Sequence, residues 1–257
     1  MTEPRIIVTE DDSRTVFLPD RGIHYRSVFG ALGESRHVFL GGSGLLQKPT
    51  PWRILELGFG TGLNFLTTAE AFLAVFDDGL LDFHTVDWRP LSPEFFRDLG
   101  YEQWVQNPDL LTLVEEALAL GQVPRDDTIQ VTGLNGRIRL TLYPWDWREI
   151  PTANLQVDAV YHDPFGPDAN PDSWSVDCFR WSSAAMTPQA RLATYGASTR
   201  TRIAMTAAGL YLARPEGYGK KREMTVAALS PEPLQGLRRI NRDKYLGRLH
   251  ELKQKRS

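Results

Sequence analysis

A single cysteine, Cys178, stands in the 257 residues, so no intramolecular disulfide can form. That usage suits a reducing compartment, and a cytoplasmic location is expected. No apolar run reaches the roughly 18 residues that would begin to suggest a membrane span. Met1-Thr2-Glu3-Pro4 lacks the basic stretch and apolar run of a secretory signal. Five histidines, at 24, 37, 84, 162 and 250, and the cysteine show no metal-ligand spacing, so no metal is expected. Internal repeats and low-complexity segments are also missing. The net charge is only −3, which argues against general coating of nucleic acid.

What is present is enough apolar residue, 42%, for the core of one large α/β domain. The charge is uneven. From Leu237 to Ser257 eight Lys and Arg face only Asp243 and Glu251, which leaves −9 on the rest. A basic terminal stretch on an acidic body is a candidate contact for a polyanion, with a solvated tail as the plain alternative.

The informative stretch is Arg53 to Asn64, R-I-L-E-L-G-F-G-T-G-L-N. Ile54 to Leu57 reads as a short buried strand, and Leu63 onward carries apolar residues at helical spacing. Between them lie Gly58, Gly60 and Gly62. Strand, glycine turn and helix open a nucleotide-binding βαβ unit, because glycine lets the backbone approach a ligand closely. The spacing is G-x-G-x-G, not the G-x-G-x-x-G of a dinucleotide fold. Glu56 at the strand end would repel a pyrophosphate but suits a cation. S-adenosylmethionine (SAM) carries an ammonium and a sulfonium and no phosphate. Asp87, at the end of the next strand (81–86), can accept both ribose hydroxyls. SAM is therefore the expected cofactor, with an NAD oxidoreductase as the disfavoured rival.

Along the chain, 16–18 and 23–25 flank a hairpin turn, and 27–39 reads as a short helical stretch. Gly41-Gly42-Ser43-Gly44 reads as a flexible loop, either a linker or a cover for the cofactor. Residues 62–76 form the first crossover helix. A helical insertion is expected at about 90–127. Asn135-Gly136 between two alternating runs predicts a hairpin whose second arm, 137–143, is the third sheet strand. Trp145 and Asp146 at its end are placed near adenine. Strand four, 157–162, runs into Asp163-Pro164-Phe165, where an open parallel sheet carries its chemistry. A helix at 176–185, a strand at 191–195, a helix at 199–208 ended by Gly209, and an antiparallel pair at 211–214 and 224–228 complete the pattern. Three parts are expected: an N-terminal extension (1–52), the core with its insertion (53–228) and a basic tail (229–257).

Methyl transfer to an amine needs a lone pair aligned with the methyl and a group that takes the amine proton. Asp163 has the type and the place for that role, and Phe165 offers an aromatic face to a flat base or a cation. An ordinary Asp-Pro turn with Phe165 as a loop anchor is the plain alternative. Lys220-Lys221-Arg222, on a glycine-rich loop, suits phosphate contacts; its alternative is a solvated charge run. His162 and His24 read as core or supporting residues.

Four stretches in order resemble one family: 34–45, 56–66, 163–174 with Asn170-Pro171-Asp172, and 217–224. They are similar to the methyltransferase domain of the bifunctional tRNA wobble-uridine modification protein (MnmC), over roughly residues 15 to 228. The resemblance implies a class I SAM-dependent methyltransferase, a Rossmann-like α/β fold with a seven-stranded, mostly parallel sheet. It implies N-methylation of the 5-aminomethyl group of (2-thio)uridine at tRNA position 34. The implied partner is tRNA. The bifunctional family protein carries a C-terminal flavin (FAD) oxidase domain; this chain departs from it by ending at Ser257, and a stand-alone form without FAD is expected, with no membrane partner. The expected cofactor contacts are Glu56, Gly58, Phe59, Gly60, Thr61, Gly62, Asn64, Asp87, Trp88, Trp145, Asp146 and Asp163. Asp163 and Phe165 are the expected catalytic pair, and Tyr25, Asn170, Lys220, Lys221 and Arg222 the expected tRNA contacts. Where the family loop reads Asp-Gly-Phe or Asp-Ala-Phe, this chain has Pro164, which is reminiscent of the Asp-Pro-Pro-Tyr loop of DNA amino-methyltransferases. An amino-methyltransferase acting on DNA or a small molecule is therefore one alternative, and a non-catalytic RNA-binding module another.

Overall fold

The computed structural model describes residues 3–123 and 128–254. Three short strands come first, β1 (Arg5–Val8), β2 (Arg14–Leu18) and β3 (Ile23–His24), as a small antiparallel sheet. A helical segment follows, α1 (Ala31–Glu34), which widens into a π-helical turn over Ser35–Gly41. The main body then alternates: β4 (Trp52–Leu57), α2 (Leu63–Val75), β5 (Leu81–Val86), α3 (Pro93–Asp98), α4 (Pro108–Gly121), β6 (Ile129–Gly133), β7 (Ile138–Tyr143) and β8 (Val157–His162). It ends with α5 (Val176–Ala184), β9 (Met186–Thr194), α6 (Thr199–Ala207), β10 (Tyr211–Ala213), β11 (Thr225–Ala228) and α7 (Arg242–Gln254).

The large sheet has the order β10-β11-β9-β8-β4-β5-β7-β6. Five central strands, β7, β5, β4, β8 and β9, are parallel, and the pairs at both edges are antiparallel. Period-two alternation sends successive residues to opposite faces. On β4, Ile54 joins the core beneath α2 and α4, while Leu55 joins the core beneath α5 and α6. Leu57 pairs with Val86 on one side and His162 on the other. Gly58, Asp87 and Asp163 therefore leave the sheet side by side, where the order reverses and a parallel sheet opens a crevice.

Several expectations change. The sheet has eight strands, not seven, because the first arm of the Asn135-Gly136 hairpin, β6, pairs with β7 at the edge. Leu134 and Asn135 take positive φ of 54° and 56°, the turn that matches strand twist. Residues 41–44 are no cofactor cover. Gly42 continues the helix, and a Cβ there would meet Met224 Cε at 2.5 Å, so close packing explains the small residue. The helical insertion is shorter than expected, since α4 buries Leu110, Leu113, Val114, Ala117 and Leu118 and is itself the second crossover helix. Expectations for 124–127 lie outside the described residues. The segment after 229 is not a free tail: Leu234 is buried, and Ile240 N–H donates to Leu212 O at 2.8 Å. Beyond it α7 packs on α6. Among the described residues no helix is long and apolar enough to cross a membrane, and no cluster of metal-binding side chains exists.

Candidate active site

A cleft of about 720 Å³ opens at the carboxyl ends of β4, β5, β7 and β8. The N-terminal sheet closes it from above through Leu18 and Tyr25. Ten of the expected site residues line it: Tyr25, Gly58, Gly60, Asp87, Trp88, Trp145, Asp146, Asp163, Phe165 and Asn170.

The glycine loop is shaped by close approach. Gly58 has φ 94°, and a Cβ on it would lie 2.6 Å from the backbone oxygen of Asp163. Gly60, at φ 54°, would bring a Cβ to 3.2 Å from the Tyr25 ring. Asp87 is turned onto this loop: its Oδ2 accepts from Gly60 N–H at 2.9 Å and its Oδ1 from Arg89 N–H at 3.0 Å. Burial raises its pKa, and the two backbone donors with that of Phe59 oppose the rise. Replacing Asp87 by Ala is expected to weaken SAM binding by about 1.5–3 kcal/mol, the range for a hydrogen bond to a charged group. Calorimetry on variant protein with unchanged melting measures this, and wild-type affinity would remove Asp87 from the ribose.

Aromatic and basic groups alternate around the mouth. Trp88 is 60% exposed, with the Arg89 guanidinium 4.7 Å from its ring centre. Asp146 caps the turn Trp147–Glu149, and Arg148 grips both its oxygens, at 2.8 and 2.6 Å. The expected adenine acceptor thus already serves Arg148, which also reaches Asp172 at 3.4 Å across the cleft.

The Asp163-Pro164-Phe165 loop is held from behind. Tyr195 O–H donates to Pro164 O at 2.6 Å, and Trp174 Nε1–H to Phe165 O at 2.8 Å. The Phe165 ring meets Tyr25 edge-on at 4.9 Å. Asp163 Oδ2 accepts from Asn64 Nδ2 at 2.9 Å and from Arg26, its ion-pair partner. Oδ1 receives no hydrogen bond from a described residue.

Five expected cofactor contacts lie behind the cleft wall. Glu56 is fully buried: Oε1 accepts from Asn64 at 2.8 Å and Oε2 from Thr85 at 2.7 Å. Its carboxylate braces the interior and does not face the cleft. Asn64 is buried too, and its amide bridges Glu56 and Asp163. Phe59 and Thr61 are inside the core, and Gly62, at φ 71°, starts α2. Burial lifts both carboxyls, Glu56 to about 8 and Asp163 to about 7, while Arg26 pulls both down.

The basic loop divides. Lys221, partly exposed, donates to buried Glu34 at 2.6 Å and lies over the Tyr195 ring, so its charge already has a partner within the fold. Lys220 and Arg222 are exposed, Lys220 beside Glu10 at 3.7 Å. Arg26, Arg148, Trp174 and Tyr195 are the functional residues that pattern reading misses. Trp174 closes the 163–174 stretch, whereas Arg26, Arg148 and Tyr195 lie in no motif, and it is their contacts in the fold that reveal them.

A sequence model of the family described as S-adenosyl-L-methionine-dependent methyltransferase matches residues 115–230. Together with the strand order and the glycine-loop cleft, this makes the chain a SAM-dependent methyltransferase of the class I fold. It is homologous to MnmC. The tRNA 5-methylaminomethyl-2-thiouridine biosynthesis bifunctional protein MnmC of Ralstonia nicotianae is 36% identical over 212 residues, 79% of this chain and 31% of that protein. The protein of that name in Burkholderia multivorans is 35% identical over 242 residues, 89% of this chain and 35% of that one. The chain thus spans about a third of the length of the curated relatives it matches. The crystal structure of MNMC2 from Aquifex aeolicus superposes with a TM-score of 0.72 at 23% identity, covering 97% of this chain and 76% of that one.

Proposed function

We propose that this chain methylates the primary amine of 5-aminomethyl-(2-thio)uridine at the wobble position of tRNA, in the cytoplasm. The observation that carries the reading is Asp163: a carboxylate anchored through one oxygen, with no hydrogen bond from a described residue to the other, in a cleft that the Phe165 and Tyr25 rings also line. The names of the homologues support tRNA as the substrate over DNA or a small molecule.

The cleft fits the cofactor: glycine backbone on one side, a carboxylate at the second strand end, and Trp88 and Trp145 as flat walls. Gly58, Gly60 and Asp87 would hold SAM, with Trp88, Trp145 and Asp146 at its base. When bound, SAM supplies an electrophilic methyl whose C–S electron pair returns to sulfur. Asp163 Oδ1 accepts a proton from the substrate ammonium and orients the freed lone pair. With SAM in place, the freed amine would be aligned to take the methyl as the C–S bond breaks, and Asp163 would pass its proton on to solvent. Phe165 and Tyr25 flank the flipped base. Methyl transfer to bulk tRNA lacking the modification, read by mass spectrometry of wobble nucleosides, tests the reading. Transfer to DNA and not to tRNA would replace it with the DNA alternative, and RNA binding without SAM affinity with the non-catalytic one.

Lys220 and Arg222 remain to meet tRNA phosphates. Changing both to Ala is expected to weaken tRNA binding, leave SAM binding intact and lower the salt slope by up to ~0.9 for each phosphate they neutralise. An unchanged slope in a filter-binding titration would make them solvated charges.

A further inference from the structure

Arg26 is 4% exposed, and its guanidinium lies 5.7 Å from the Phe39 ring centre. A buried ion pair of this kind seldom improves stability over a well-packed apolar pair, because both ions lose their hydration. Fold stability alone therefore does not account for it. Its Nη1 donates to Asn64 Oδ1 at 3.1 Å and to Asp163 Oδ2. Asn64 in turn donates to both Asp163 Oδ2 and Glu56 Oε1. One guanidinium and one amide thus take a single oxygen of Asp163, at the wall of the cleft that Arg26 itself helps to line.

Resting on the reading of Asp163 as proton acceptor, we infer that Arg26 is its positioning residue. It fixes Oδ2 so that Oδ1 meets the amine, and it keeps the carboxyl ionised in an interior that would otherwise hold it protonated. The charged and titratable groups around Asp163 are Glu56 on β4, Glu34 on α1, Lys221 before β11, Tyr195 after β9 and Arg26 itself. Glu56 and Glu34 favour the protonated form, and Lys221 is already paired with Glu34. Arg26 is the cation in direct contact with the carboxylate. An acceptor works best when its pKa lies near the working pH, and an adjacent guanidinium brings a buried carboxyl down into that range.

The test reads Asp163 directly in the full chain without substrate. Aspartate labelled with ¹³C at the side-chain carboxyl is titrated by NMR, and the Asp163 signal is assigned as the one missing from Asp163→Asn. Arg26→Gln is expected to raise the midpoint by at least about one pH unit, a tenfold loss of ionised carboxylate below it. Arg26→Lys, which keeps the charge, should return the midpoint toward wild type. In turnover, the acid limb should move by the same amount in Arg26→Gln, with the KM for tRNA little changed. If Arg26→Gln does not fold, Glu56→Gln is compared with Glu56→Gln/Arg26→Gln, where a buried charge of each sign is removed together. An unmoved midpoint in a folded Arg26→Gln or in that pair overturns the inference. A moved midpoint together with full methyl transfer by Asp163→Asn upholds the Arg26 assignment and overturns the acceptor reading instead.

Discussion

Asp163→Asn is expected to bind SAM almost normally and to lose about 10²–10⁴ of its methyl-transfer rate, the range for losing a positioned proton acceptor. The structure makes this stronger than a statement about basicity. An Asn side chain has one acceptor oxygen, and Arg26 and Asn64 already supply two donors to the Oδ2 position. The amide oxygen will settle there, which points the NH₂ group at the cleft. The substrate amine then meets a donor where it needs an acceptor, so orientation and proton removal are lost together. Asp163→Ala should be comparably slow at neutral pH, although it also leaves Arg26 without its partner, and breaking a buried pair costs about 3–5 kcal/mol. Asn is therefore the cleaner variant, and its melting temperature should stay nearer to wild type than that of Ala. Single-turnover measurement on tRNA bearing 5-aminomethyluridine decides the matter. A wild-type rate in Asp163→Asn would reduce Asp163 to a turn residue.

The parts of this site that pattern reading locates are those whose chemistry is local in sequence. Ile54 to Leu57 with three alternating glycines specifies a strand, a close turn and a helix within one segment, and Asp87 and Asp163 each follow a six-residue stretch with β-branched and aromatic residues that reads as a strand. What it misplaces depends on partners far along the chain. Glu56 looks like a ligand group by position, yet the fold supplies Asn64 and Thr85 to consume it. Arg26 reaches Asp163 across 137 residues and Lys221 reaches Glu34 across 187, and neither pairing leaves a periodic trace. The glycines at 41–44 mislead for a related reason. At Gly42 the small size answers Met224 and Ala193, brought in by distant strands, and not a need for flexibility. β1 escapes pattern reading because Arg5–Val8 is a four-residue edge strand without alternation between buried and exposed positions.

The residue before Asp163 gives a large expected pH effect on stability. His162 ends β8 and is fully buried, with its ring 4.6 Å from Phe179 and 4.8 Å from Trp174. Burial in this aromatic cage pushes its pKa down from 6.5 to about 3. The sign follows from proton counting. Above pH 7 the ring is neutral in both the folded and the unfolded chain and contributes no pH dependence. Below about 6.5 the unfolded chain takes a proton that the folded one refuses, so stability falls as pH falls, and continues to fall until the folded pKa is reached. The limiting slope is about 1.4 kcal/mol per pH unit. Glu56 and Asp163, whose pKa values are raised, act in the opposite sense: what they contribute is present at low pH and is lost as pH rises. A comparison with His162→Phe, which keeps an aromatic ring in the cage and cannot titrate, cancels their share. Urea unfolding of both proteins between pH 8 and 4 should give a constant difference at the alkaline end. Below pH 6.5 the difference should turn steadily against the wild type. A difference that stays level down to pH 4 would mean that the ring takes up its proton in the folded protein. Asp163 would then have a second cation beside it, and the acid limb of turnover would no longer report on Arg26 alone.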